Sequence, residues 1–191
     1  MILLIDNYDS FTYNLYHQIA AFYPNIKVVR NNKITLQEIE TISPKAIVIS
    51  PGPKRPEDAG ICVEMIQALG PSFPIFGICL GLQALAVAYG GEVIRGPNCV
   101  HGKSSKIRHE KKGLFEFVEI PFKVARYHSL IVNKDNLPEQ LIIEATSEDN
   151  FIMALKHKVY SVYGVQFHPE SVLTANGDRI IENFLKIAKV I

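Results

Sequence analysis

The sequence predicts an α/β protein: a doubly wound, mostly parallel sheet with helices on both faces and an antiparallel extension. Three observations predict it. Up to Gly91, short apolar runs alternate with helical patterns through short loops, and such an order needs crossovers that build a parallel sheet covered on both sides. The right-handed crossover rule then makes the doubly wound arrangement the natural one. Beyond Gly91 the helical patterns give way to short strand-like runs joined by turns, some of them expected to pair antiparallel. The totals are those of a globular chain: 191 residues, 48% apolar and 20% charged. That length suits one domain, residues 1–191, around one sizeable core.

Taken in order, Ile2–Ile5 reads as a buried strand ending at Asp6. Ser10 is placed to cap a helix carrying Phe11, Leu15, Ile19 and Phe22 on one face and stopped by Pro24. Ile26–Val29 is a second strand. Thr35–Ile39 is a short helix, with Thr35 and Glu38 spaced as a capping box. Ala46–Ile49 is a third strand, followed by the turn Ser50-Pro-Gly-Pro53. A helix over Glu57–Leu69 closes at Gly70-Pro71, a strand follows at Ile75–Ile78, and a helix over Leu80–Tyr89 closes at Gly90-Gly91. The later strands are expected at Val93–Ile94, Ser105–Ile107, Phe122–Ala125, Leu141–Ala145, Ile152–Leu155 and Tyr160–Val165. A helix from about Gly177 onward carries Ile180, Ile181, Phe184, Leu185 and Ile187 as its apolar stripe.

The charge is close to balanced, 20 Lys and Arg against 19 Asp and Glu, so no global field gathers nucleic acid or anionic lipid. No apolar run approaches the roughly 20 residues of a membrane span. The start, Met1–Asp6, lacks the basic flank and cleavage site of a signal peptide. The three cysteines, Cys62, Cys79 and Cys99, form neither a C-x-x-C pair nor a disulfide framework. A reducing cytoplasm is the expected location, with no metal and no cofactor. No G-x-G-x-x-G or P-loop lysine motif points to a nucleotide.

Gly77-Ile-Cys79-Leu-Gly81 is the sharpest signal. It follows an expected strand and opens an expected helix, the context that gives meaning to the related G-x-S-x-G elbow. Glycines on either side leave room for a tight, strained turn and for substrate. The unpaired N–H groups opening the helix can hold an oxyanion, and the helix dipole favours a thiolate over a thiol. Cys62 in a helical pattern and Cys99 after a Gly-Pro-Asn turn lack this setting and read as non-catalytic.

A thiol nucleophile needs a base, and the base an orienter. His168, in Gly164-Val-Gln-Phe-His-Pro-Glu170, stands at the end of an apolar strand, where a doubly wound sheet gathers its site. Glu170 follows two residues later, on the same side of an extended backbone, with Pro169 holding that backbone extended. His17, His109 and His157 are expected to be solvated. His101 and His128 are placed in loops that could line a site, without an adjacent carboxylate.

These segments together resemble the class I, or triad, glutamine amidotransferases, over nearly the whole chain. Within them the likeness is to the glutaminase component of anthranilate synthase and of aminodeoxychorismate synthase. It is carried by Asp6-Asn-Tyr-Asp-Ser-Phe11 with Asn14-Leu15, Ser50-Pro-Gly-Pro53 with Pro56-Glu57 and Ala59-Gly60, and Gly77-Ile-Cys-Leu-Gly-Leu-Gln83. Further on come His101-Gly-Lys103, Arg126-Tyr-His-Ser-Leu130, Gly164-Val-Gln-Phe-His-Pro-Glu-Ser171 and Asn183-Phe184. The resemblance implies that Cys79 attacks the side-chain amide of L-glutamine, that His168 moves the proton, and that Glu170 orients it. It implies an oxyanion donor from Gly52 with the following loop, Pro53 and Lys54, and a second from the Leu80 N–H. Gln83, one helical turn past Cys79, would reach the substrate, and the Ser129-Leu130 backbone would hold its amino-acid end. The partner implied is a large chorismate-binding synthase subunit on a separate chain. A stand-alone γ-glutamyl or peptide hydrolase, and a catalytically idle regulatory subunit, remain as other readings of the same residues. One departure stands out. Many relatives carry glycine where this chain has Lys54, and a left-handed backbone there would strain a lysine by roughly 1 kcal/mol.

Overall fold

In a computed structural model, residues 1–97 and 102–191 are described; Cys99 and His101 lie outside them. The strands are β1 (Ile2–Asp6), β2 (Ile26–Arg30), β3 (Ala46–Ile49), β4 (Ile75–Ile78), β5 (Val93–Arg95), β6 (Lys103–His109), β7 (Phe122–Arg126), β8 (Leu130–Val132), β9 (Leu141–Ser147), β10 (Ile152–His157) and β11 (Val162–Val165). The helices are α1 (Thr12–Ala20), α2 (Leu36–Ile42), α3 (Cys62–Leu69), α4 (Leu80–Ala88) and α5 (Gly177–Ile187). Nine strands form one sheet in the order β2-β1-β3-β4-β11-β10-β9-β6-β7, while β5 and β8 pair separately. From β2 to β11 the pairs are parallel, and from β11 to β7 they are antiparallel. This is the mixed, doubly wound sheet with an antiparallel extension that the sequence predicts.

The period of two along each buried strand sends alternate side chains to opposite faces. Ile2 and Leu4 of β1 join Leu15 and Ile19 of α1 and Ile180, Phe184 and Leu185 of α5. Leu3 and Ile5 join Ile39 of α2, Met65 and Ile66 of α3 and Leu85 of α4. The sheet therefore divides two apolar layers, and parallel strands buried on both sides read as unbroken apolar runs. Helix α4 is buried nearly all round, which explains why it shows no polar face. On the opposite layer Phe184 stacks on Phe76 at 4.9 Å, and Asn183 donates to the carbonyls of Leu114 and Glu116, each at 2.9 Å.

Several local expectations are corrected. Ser10 does not cap α1. The helix start at Phe11 has no side-chain cap; beside it Asp9 accepts the Phe11 N–H at 2.7 Å and Asp6 accepts the Thr12 hydroxyl at 2.8 Å. Phe11 is 50% exposed rather than buried with Leu15 and Ile19. The helix expected over Glu57–Leu69 is a 3₁₀ turn at Pro56–Asp58 followed by α3. The break falls at Gly60, with φ +57, where a Cβ would lie 2.7 Å from the Asn31 carbonyl oxygen. Thr35 does form the capping box with Glu38 at the start of α2. Strand β8 was not legible in the sequence, since three residues carry too little periodicity. Nor are His109 and His157 solvated: each is 7% exposed. His109 stacks on Phe115 at 4.6 Å. The Nδ1 of His157 accepts the N–H groups of Val159 and Tyr160, and its ring stacks on Tyr160 at 4.3 Å. Among the described residues, no helix is long and apolar enough to cross a membrane.

Candidate active site

Strands β4 and β11 lie side by side and parallel, with Ile78 level with Val165. The residues just past their C-terminal ends therefore emerge together, although 87 positions separate Cys79 from Gln166. The Cys79 N–H donates to the Val165 carbonyl at 2.7 Å and fastens the two exits to each other. Cys79 itself stands at φ 54, ψ −98, immediately before α4. That conformation is strained for any side chain, and the turn exists because Gly77 leaves space for it. A Cβ on Gly77 would lie 2.4 Å from the backbone of Gly81. The N–H groups of Leu80, Gly81 and Leu82 begin the helix and have no intrahelical acceptor.

His168 arrives from the β11 exit and is 6% exposed. Its Nδ1 lies 2.6 Å from Glu170 Oε1. A carboxylate only accepts, so this nitrogen carries the proton and Nε2 is left for the sulfur. Burial works against an imidazolium here. The neighbouring Cys79 sulfur, then the hydrogen bond and charge of Glu170, more than offset it and move the His168 pKa well above its ordinary value. The His168 N–H donates to Ala125 O at 3.1 Å, and Thr174 Oγ1 donates to His168 O at 2.6 Å. These bonds tie the base to β7, while the edge of the Tyr127 ring meets its imidazole at 5.0 Å.

Above the sulfur lies a cavity of about 190 Å³. It is lined by Gly52, Pro53, Lys54, Cys79, Leu80 and Gln83, together with Tyr127, His128, Ser129 and Leu130. Every residue that the resemblance assigns to substrate is thus gathered around Cys79. A larger groove of about 620 Å³ is lined by Pro169 and Glu170 among others, but by neither Cys79 nor the Gly52 loop. Lys54 sits at φ +67, the left-handed backbone expected from the departure at that position. Among the described residues, no group of three or more His, Cys, Asp and Glu is arranged to hold a metal ion.

The Gly52 loop is held from below by Asn7. Its backbone N–H donates to Ser50 Oγ and its side-chain amide to Ser50 O, both at 2.9 Å. The Asn7 carbonyl accepts from Asn31 at 2.9 Å and from the Cys62 thiol at 3.2 Å. Burial pushes that thiol up to about 12, so Cys62 is a packed donor under the loop and not a nucleophile. The same segment turns Tyr8, Phe11 and Tyr13 outward.

One neighbour of the sulfur escaped the sequence reading. Gln166 is fully buried, and its amide nitrogen lies 3.4 Å from Cys79 Sγ. The alternation used to pair His168 with Glu170 would have found it two residues earlier. His128 is 6% exposed and lies between Arg126 and the Leu130 carbonyl. Burial, then the charge of Arg126, lowers its pKa to about 4. The sequence places His128 in a loop that could line a site, and it does line this cavity; its burial comes from chain folding back at β8.

The sequence profile of the family described as Glutamine amidotransferase class-I matches residues 3–188. The chain is 50% identical over 191 residues to the Bifunctional protein TrpGD of Thermotoga maritima; the match covers 99% of this chain and 32% of that one, so this chain spans about a third of that relative. It is 45% identical over 186 residues to the Aminodeoxychorismate/anthranilate synthase component 2 of Bacillus subtilis, covering 97% of this chain and 96% of the other. The solved structure of a glutamine amidotransferase from Thermotoga maritima shares the fold, with a TM-score of 0.76 at 18% identity over 99% of this chain and 82% of that one.

Proposed function

The chain belongs to the class-I glutamine amidotransferases, and from that premise we propose that it hydrolyses L-glutamine and passes the ammonia to a chorismate-using synthase subunit. The observation that carries this reading is Cys79 on its strained turn, lining a cavity, with the His168–Glu170 pair brought to its sulfur by the adjacent strand. The Cys79 sulfur attacks the side-chain carbonyl carbon of glutamine. The carbonyl oxygen takes the negative charge, and in this reading the Gly52 loop and the Leu80 N–H receive it. His168, protonated at Nε2 by the departing thiol proton, returns that proton to the amide nitrogen as ammonia leaves. Water, deprotonated by the same nitrogen, then cleaves the glutamyl thioester to glutamate and regenerates the thiol. Glu170 accepts the Nδ1–H throughout and fixes the tautomer.

The synthase partner is supported by the Bacillus relative, which is named as component 2 of such an enzyme. Anthranilate, aminodeoxychorismate, or both are the products this reading allows. Residues 1–191 act as a single glutamine amidotransferase domain, and the unpaired thiols Cys62 and Cys79 fit a reducing cytoplasm. The test is reconstitution with the large chorismate-using subunit. Cys79→Ser should abolish synthesis from glutamine and leave synthesis from added ammonium intact. Glutamine-dependent synthesis that survives the substitution would overturn the proposal.

A further inference from the structure

We infer that Gln166 is a catalytic residue: its side-chain N–H is presented to the Cys79 sulfur as a hydrogen-bond donor, in a direction that the surrounding buried chain of groups imposes. The inference rests on Cys79 being the nucleophile. The chain meets at the Leu130 carbonyl. That oxygen receives His128 Nδ1 at 2.9 Å from one side and the side-chain nitrogen of Gln83 at 3.2 Å from the other. A carbonyl only accepts, so the Gln83 atom beside it is the amide nitrogen. The same nitrogen lies 3.1 Å from Gln166, whose facing atom must then be the carbonyl oxygen. The amide nitrogen of Gln166 is left facing Cys79 Sγ at 3.4 Å.

Turning Gln166 over would set two NH₂ groups against each other and a carbonyl oxygen against a sulfur anion. Water cannot relieve either clash, since Gln166 is wholly buried and Gln83 is 3% exposed. The far side of Leu130 is fixed in the same way. Arg126 Nε is always a donor and lies 3.1 Å from His128 Nε2. That nitrogen is therefore a lone pair, and Nδ1 bears the hydrogen that Leu130 accepts. Arg126 is itself anchored by both oxygens of Asp149 at 3.2 Å. Arg126 and His128 are thus positioning residues, which hold the carbonyl that orients Gln83 and, through it, Gln166. A donor aimed at the sulfur stabilises the anion and restrains its rotamer before substrate arrives. With both hydrogens of its amide engaged, Gln83 has its carbonyl oxygen left to offer, so the ligand group it recognises is a donor, an amide or an ammonium.

The experiment is alkylation of the full-length chain by iodoacetamide across a pH series, read as the mass of the Cys79 peptide, with circular dichroism as the check on folding. Gln166→Leu removes the donor. Gln166→Glu keeps the acceptor for Gln83 and places an oxygen against the sulfur. At neutral pH both variants should label Cys79 more slowly by about tenfold or more, the Glu variant most, and both should approach the wild-type rate in alkali. Wild-type rates and pH profiles in folded variants would overturn the inference. If either substitution blocks folding, Gln166→Asn, which draws the amide back by one methylene, takes its place in the same comparison. Absence of labelling at Cys79 in the wild type would instead defeat the reading of Cys79 as nucleophile.

Discussion

Acidification should destabilise this fold through His128, and replacing that residue should remove the loss. In the folded chain the imidazole must stay neutral, since its Nε2 lone pair receives the Arg126 N–H and a second proton would face a guanidinium in a buried site. Burial, with Arg126 next, moves the His128 pKa from 6.5 to about 4. For a base whose folded value is depressed, the unfolded chain takes up the proton first. The contribution of His128 is therefore intact above about pH 6.5, declines as pH falls toward about 4, and is constant below that. At about 1.4 kcal/mol per pH unit the full loss is about 3 kcal/mol. His168 moves the other way. Its raised value keeps it protonated throughout this window, so its contribution is complete below about pH 6.5 and is lost only as pH rises through its folded pKa. His109 and His157 are also shifted down by burial, which makes a difference measurement necessary. Urea unfolding of the wild type and of His128→Gln at about pH 7 and about pH 4.5 isolates the term, because the other groups are common to both proteins. The wild type should lose about 2 kcal/mol more than the variant. Equal losses in the two proteins would refute the assignment of a neutral, Arg126-bonded His128.

Lys54→Gly should raise stability by up to about 0.5 kcal/mol, since roughly 1 kcal/mol of left-handed strain is relieved while the extra freedom of glycine when unfolded costs about 0.5–1 kcal/mol; a lower urea midpoint would contradict the strain. Gly77→Ala should destabilise by about 3 kcal/mol or more and abolish glutaminase turnover, because the added Cβ meets backbone of Gly81 that cannot move without opening the turn. A soluble Gly77→Ala protein with normal turnover would show that the turn tolerates what its geometry forbids.

The elements were legible where a local pattern carries the information. Unbroken apolar runs such as Ile2–Ile5 and Ala46–Ile49 mark strands buried on both faces, and Thr35 with Glu38 marks a helix start through bonds within one turn. Gly77-Ile-Cys79-Leu-Gly81 announces a tight turn because glycine's missing Cβ is a local requirement. His168 and Glu170 were paired correctly in space because their contact spans two residues. What the sequence by itself determined is therefore most of the strands and helices, though not β8 or the break at Gly60, together with the tight turn at Cys79 and the His–Glu pair, each resting on interactions between near neighbours. The tertiary structure alone decided that β4 and β11 lie side by side and bring the sulfur to the imidazole. It also decided that Gln166 faces the sulfur, that Asn7 braces the Gly52 loop and that His109, His128 and His157 are buried. The physical reason is the same throughout: which groups lose their water, and which then become each other's only partners, depends on segments far apart in the chain meeting across a sheet, and no local pattern encodes that meeting.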